Sequence, residues 1–151
     1  MNSNEKLSIK GNLNIVLTDA QGNIKDSRQV DNLVVTSGIT YILSRMKDTT
    51  YGAMSHMAVG SSTTATAANQ TDLVALLGSR VTLTSTVSSA STIVYAASFA
   101  AGVSTGAITE AGIFNAASGI SMLCRTVFAV VNKGAGDSMN ITWTITLTAT
   151  P

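Results

Sequence analysis

Charged side chains are the scarcest component of this 151-residue chain: nine Lys or Arg and eight Asp or Glu make up 11% of it, with a net charge of +1. An ordinary soluble domain carries about 25%. Without a basic surplus there is no electrostatic grip on nucleic acid or on an anionic membrane surface, and neither is expected as a partner. Sulfur is as scarce. The single cysteine, Cys124, cannot form an internal bridge, which argues against a secreted, stapled scaffold and fits synthesis in a reducing cytoplasm. One proline and 5% aromatics argue against a Pro-rich linker and an extended aromatic-lined sugar-binding face. No apolar stretch approaches the ~18 residues of a membrane-spanning helix. Residues 1–6, MNSNEK, lack the basic flank and apolar run of a signal peptide. With one histidine and no metal-spaced Cys/His or Asp cluster, neither a metal nor a cofactor is expected.

What remains is Ser, Thr, Asn, Ala and Gly on the surface, and a weakly charged surface resists association poorly. Neighbouring chains are therefore expected to cover part of it. The length suits one domain whose core needs neither metal nor disulfide.

Hydrophobic periodicity is mostly two, the period of strands. Leu7, Ile9, Leu13, Ile15 and Leu17 alternate with polar residues, with Gly11 expected as a bulge or bend. Residues 19–23 are turn chemistry, and a strand over 24–30 completes a hairpin. The period changes at Thr36 and Ser37, expected caps of a helix over 37–47. There Ile39, Ile42, Leu43 and Met46 make one stripe, expected to cover an open end or face of a sheet. Strands are expected over 55–60, 80–87, 92–100, 107–115, 120–131 and 139–148. Residues 60–69 read as a long loop, and 71–78 as a short helical turn. The segment 120–131 is apolar on both alternating sets, which predicts burial on both sides, in a sandwich or at a subunit contact. The fold class is therefore mainly β, a jelly roll or β-sandwich of about eight or nine strands with one short helix near residues 37–47. A single domain is expected over residues 7–151, preceded by a flexible polar arm over 1–6 that lies on a neighbouring subunit or stays disordered. Trp143, Phe128, Phe114 and Phe99 are expected in the core.

Few residues invite chemistry. A Cys124–His56 nucleophile pair is conceivable, but Cys124 sits mid-strand, where a small buried residue is expected. The sequence Lys133-Gly134-Ala135-Gly136-Asp137 has no helix after it and reads as a hairpin turn, not a phosphate loop. Glu110 is the one charge in an odd place, placed by alternation on the face of Ile108 and Phe114. An inward carboxylate requires a partner, and Arg125 is the first choice, Arg80 the second. A structural ion pair is expected, and no catalytic residue.

Four segments together carry a resemblance: Met57-Ala58-Val59-Gly60-Ser61-Ser62, residues 107–115 (AITEAGIFN), residues 122–128 (MLCRTVF) and Ile141-Thr142-Trp143-Thr144-Ile145. In their order and spacing, over most of the chain after about residue 30, they resemble small virion structural proteins of tailed bacteriophages. The resemblance implies a head decoration (cement) protein on the capsid exterior. It further implies a β-rich, commonly trimeric protein with the major capsid protein and itself as partners, and no catalytic residues to carry over. A tail- or fibre-associated role remains open beside it, as does a glycan-binding surface module.

Overall fold

A computed structural model of the protein describes residues 5–48, 50–119 and 122–150. The alternating segments become β1 (Lys6–Thr18), β2 (Ile24–Val34), β3 (His56–Gly60), β4 (Val81–Thr82), β5 (Ser85–Ser89), β6 (Thr92–Phe99), β7 (Gly106–Phe114), β8 (Met122–Lys133) and β9 (Ser138–Thr150). The one helix among the described residues, α1, spans Thr36–Lys47. All nine strands join one antiparallel sheet in the order β4-β3-β7-β8-β2-β1-β9-β6-β5. The chain is thus mainly β with one short helix, and both layers of the expected sandwich come from a single curled sheet.

Two segments make the curl. Along one side β2 pairs with β1 over most of its length, but its last residues, Leu33 and Val34, also pair with Arg125 and Cys124 of β8. On the other side residues 81–89 change layers. Val81 and Thr82 pair with β3, whereas the chain from Ser85 pairs with β6. The crossing at Leu83 and Thr84 explains why the single strand expected over 80–87 is two. Between the layers lies the main core, fed by alternate residues: Leu13, Ile15 and Leu17 of β1, Tyr95, Ala97 and Phe99 of β6, and Met139, Ile141, Trp143 and Ile145 of β9. Facing them are Met57 and Val59 of β3, Ile113 of β7, and Cys124 and Phe128 of β8. Phe114 is buried in a second cluster, with Val35, Ala58, Leu73 and Met122.

That second cluster accounts for the two-sided burial of β8 over Met122–Thr126, whereas Ala129 and Val130 are exposed, so burial on both sides does not extend along the whole strand as expected. Its outer face is covered by α1 and by the 61–76 segment of the same chain, so no neighbouring subunit is required there. Ser37 Oγ donates to the Met122 carbonyl at 2.8 Å, and Arg125 bonds into the 61–76 segment. The helix, however, does not use its apolar stripe to sit down. A Cβ on the buried Gly38 would collide with the Leu123 carbonyl, so this glycine lets the helix backbone lie directly on β8. Tyr41 and Ile42 flank the contact. Ile39, Leu43 and Met46 are left 45%, 60% and 80% exposed, contrary to the covering role expected of them. Neither Thr36 nor Ser37 caps α1; Val35 occupies the N-cap, with no side-chain bond.

Other local expectations shift for identifiable reasons. Residues 71–78 form bends and an isolated bridge between Gly60 and Leu76, not a helical turn. Of the arm expected over residues 1–6, residues 1–4 lie outside the described residues, while Lys6 already pairs with Thr150 in the β1–β9 ladder. Leu7, beyond the end of the core, is exposed. Gly11 is no bulge, because it holds regular register with Asn32 on one side and Ile145 on the other. Its role is close approach. A Cβ there would overlap Asn32 Oδ1, the atom that accepts the Trp143 indole N–H at 2.8 Å.

Gly11→Ala should therefore displace Asn32 and leave the buried Trp143 N–H unpaired, costing about 1–3 kcal/mol. Urea unfolding followed by Trp143 fluorescence checks this. Asn32→Ala, which removes the same acceptor, should cost a similar amount, and the two changes together should cost less than their sum.

Candidate functional site: a saturated ion pair beneath a loop and a helix

Glu110 on β7 and Arg125 on β8 are both wholly buried, and the structure brings them together. Arg125 Nη2 lies 2.7 Å and Nε 2.9 Å from Glu110 Oε2. Backbone N–H groups supply the remaining donors: Val74 to Oε2 at 3.1 Å, and Ala75 and Ser62 to Oε1 at 2.7 and 3.4 Å. Five donors therefore address a group with about four lone-pair positions. The guanidinium is equally engaged. Nη1 donates to Thr64 O and Gln70 Oε1 at 3.1 and 3.0 Å, and Nη2 donates to Thr64 O at 3.1 Å. Gln70 passes the order outward by accepting from Ala67 N and donating to Ala65 O. A carboxylate so occupied has no free lone pair for a substrate. Its physical effect is to wind residues 62–75 onto the sheet.

The strand-face reasoning behind this pair needs one correction. A register shift between Ile108 and Glu110 breaks the alternation of β7, and Ile108 turns into the main core with Ala111 and Ile113. Glu110 lies on the outer side with Phe114, facing the 61–76 segment. Opposite this shift, β8 bulges near Ala129 and Val130, whose carbonyls accept from the Arg28 guanidinium. Arg80, the second-choice partner, is engaged elsewhere. It pairs with Asp72 at 3.1 Å, donates to Ala116 O and Gly119 O, and stacks 3.6 Å above the Phe114 ring.

Cys124 is fully buried and burial pushes its thiol well above the ordinary range, so it is a thiol and not a thiolate nucleophile. His56 Nδ1 meets the neighbouring Ser55 Oγ at 2.7 Å. Residues 133–137 are a tight turn but not the expected hairpin, because β8 and β9 are not neighbours in the sheet and the turn carries the chain from one layer to the other; within it Asp137 Oδ2 accepts Gly134 N at 2.7 Å and Lys25 Nζ at 2.6 Å. These bonds, that to Lys25 first, hold the Asp137 carboxyl below its ordinary pKa. Lys133 points inward, donates to Ala100 O at 2.9 Å, and has its pKa lowered by burial. No group of three or more His, Cys, Asp or Glu among the described residues is placed to hold a metal ion.

One concavity escaped sequence reasoning. Between α1 and the 67–71 segment lies a cleft of about 500 Å3, bordered by Thr36, Thr40 and Tyr41 on the helix, Asn69 and Thr71 opposite, and Tyr51. Its walls are tied together by Thr36 N donating to Ala68 O at 2.8 Å. Only tertiary structure joins these segments, and no spacing in the sequence signals them. Comparison with protein-family models, with curated proteins and with solved structures found no match for this chain.

Two outcomes follow from the charged groups. Glu110→Gln should strand a buried guanidinium and cost about 3–5 kcal/mol, whereas combining it with Arg125→Met should cost clearly less than the sum of the single changes. Urea midpoints of the four proteins measure the coupling, and purely additive values would mean that the pair does not act as a unit. Because folding lowers the Asp137 pKa from 3.8, its carboxylate contributes stability above that pH, which is lost as pH falls through the folded-state value. Asp137→Asn should therefore lower stability at neutral pH and make its fall on acidification shallower.

Proposed function

We propose that this protein is a non-enzymatic virion structural protein of a tailed bacteriophage. In this reading it decorates the capsid exterior as a cement protein, binds the major capsid protein, and associates with itself as a trimer. The observation that carries the reading is the seating of α1. Because the helix lies on Gly38, its stripe of Ile39, Leu43 and Met46 faces outward, on a chain with few charges to discourage contact. The four segments that resemble phage virion proteins support the same reading. So does the Glu110–Arg125 network, whose donors and acceptors are spent on holding a loop.

The mechanism is thermodynamic. Apolar area removed from water contributes about 25 cal/mol per Å2, and contacts repeated over a lattice by an oligomer add through avidity. Leu43→Glu with Met46→Glu alters exposed positions only, so the fold should be destabilised by no more than about 0.5 kcal/mol per site. Particles made with this variant should nevertheless carry far fewer copies. Quantifying the protein against the major capsid protein on purified particles tests both parts. Full occupancy by the variant would refute the helix contact, and a wild-type copy number of a few tens or fewer per particle would move the protein to the tail.

A further inference from the structure

We propose that the cleft between α1 and the 67–71 segment is a binding site for a neutral saccharide. Three observations converge on it. First, among the described residues no Lys, Arg, Asp or Glu borders the cleft, so an anionic or cationic ligand would find no counter-charge there. Second, two of the three tyrosines in an aromatic-poor chain, Tyr41 and Tyr51, border it, while Tyr95 is in the core. The electron-rich face of a tyrosine ring suits the C–H face of a pyranose, which is polar at its edge and apolar over its ring. Third, five of the six hydroxyls that line the cleft are uncommitted, Ser37 being the exception. On α1, Ser37 Oγ is spent on Met122 O and Ser44 Oγ on Tyr41 O. The hydroxyls of Thr36, Thr40, Tyr41, Tyr51 and Thr71 have no such protein partner among the described residues. A hydroxyl donates once and accepts twice, which is also the inventory of a sugar hydroxyl.

The walls are held before any ligand arrives. Arg125 fixes Gln70, Gln70 fixes Ala65 and Ala67, Ala68 O receives Thr36 N, and Arg45 holds the Tyr51 carbonyl at 2.8 Å. Pre-organisation of this kind lowers the ordering cost of binding. An apolar peptide would desolvate the rim hydroxyls without pairing them, which is unfavourable. A cleft of about 500 Å3 is in the ordinary range of small-ligand sites. The inference is independent of the virion reading, since it concerns the opposite flank of α1 from the stripe and is tested without particles.

The test uses the full chain, labelled with nitrogen-15 and titrated with maltose, lactose, N,N′-diacetylchitobiose and mannobiose, each to ~10 mM, a range that covers weak carbohydrate affinities. At least one neutral sugar should shift amide signals confined to residues 36–41, 51 and 68–71. Tyr51→Ala, at an exposed position, should leave the remaining spectrum intact and weaken that sugar at least ~10-fold, while Tyr51→Phe retains most of the affinity through its ring. No shift with any of the four sugars, shifts outside the cleft, or unchanged affinity in Tyr51→Ala would overturn the proposal. So would cleft signals that respond to sialyllactose or to anilinonaphthalene sulfonate but to no neutral sugar.

Discussion

Taking a carboxylate and a guanidinium out of water costs several kcal/mol for each ion, and their attraction alone does not reliably offset it. Glu110 and Arg125 are tolerated inside this protein because nearly every remaining lone pair and N–H also finds a partner. Those partners are backbone groups of residues 62–75 and the Gln70 side chain, in a stretch with almost no regular structure of its own. The pair therefore does for this loop what ladder hydrogen bonds do for the strands. The loop in turn covers the outer faces of β7 and β8, seals the small cluster around Phe114, and forms one wall of the cleft beside α1.

Much of this was legible in the sequence because the physics is local there. Alternation along 139–147 locates the inward residues of β9, and the same pattern places Leu13, Ile15 and Leu17. Glu110 stood out because charge is rare in the chain and alternation pointed it inward, and β8 offered Arg125 as the adjacent cation. The parts that were not legible depend on what crosses over a residue. Gly38 looks like a weak point in a helix until the Leu123 carbonyl beneath it is known, and only then is it clear why the apolar stripe turns outward. Gly11 resembles a bulge until Asn32 is seen reaching over it to Trp143. The shift at Ile108 belongs to the pairing of two strands, not to either one. The cleft joins residues 36–41, 51 and 68–71, which no spacing rule connects.

The outer surface divides by chemistry along the helix. One flank of α1 carries exposed aliphatic side chains, and the other carries hydroxyls and tyrosine rings. Both flanks exist because a glycine, not a large side chain, makes the contact with β8. Enlarging residue 38 would lift or rotate the helix and disturb both surfaces together.

The β1–β9 ladder runs from Lys6↔Thr150 to Thr18↔Ser138, so β1 lies between a partner next to it in sequence and one more than a hundred residues away. β2 reaches it within a few residues. Its other edge stays open until β9, residues 138–150, has been made. Such a topology has high contact order and folds slowly for its size. Until then the nascent protein presents one open edge of the uncharged stretch from Leu13 to Leu17, a period in which strand exchange between growing chains competes with arrival of β9.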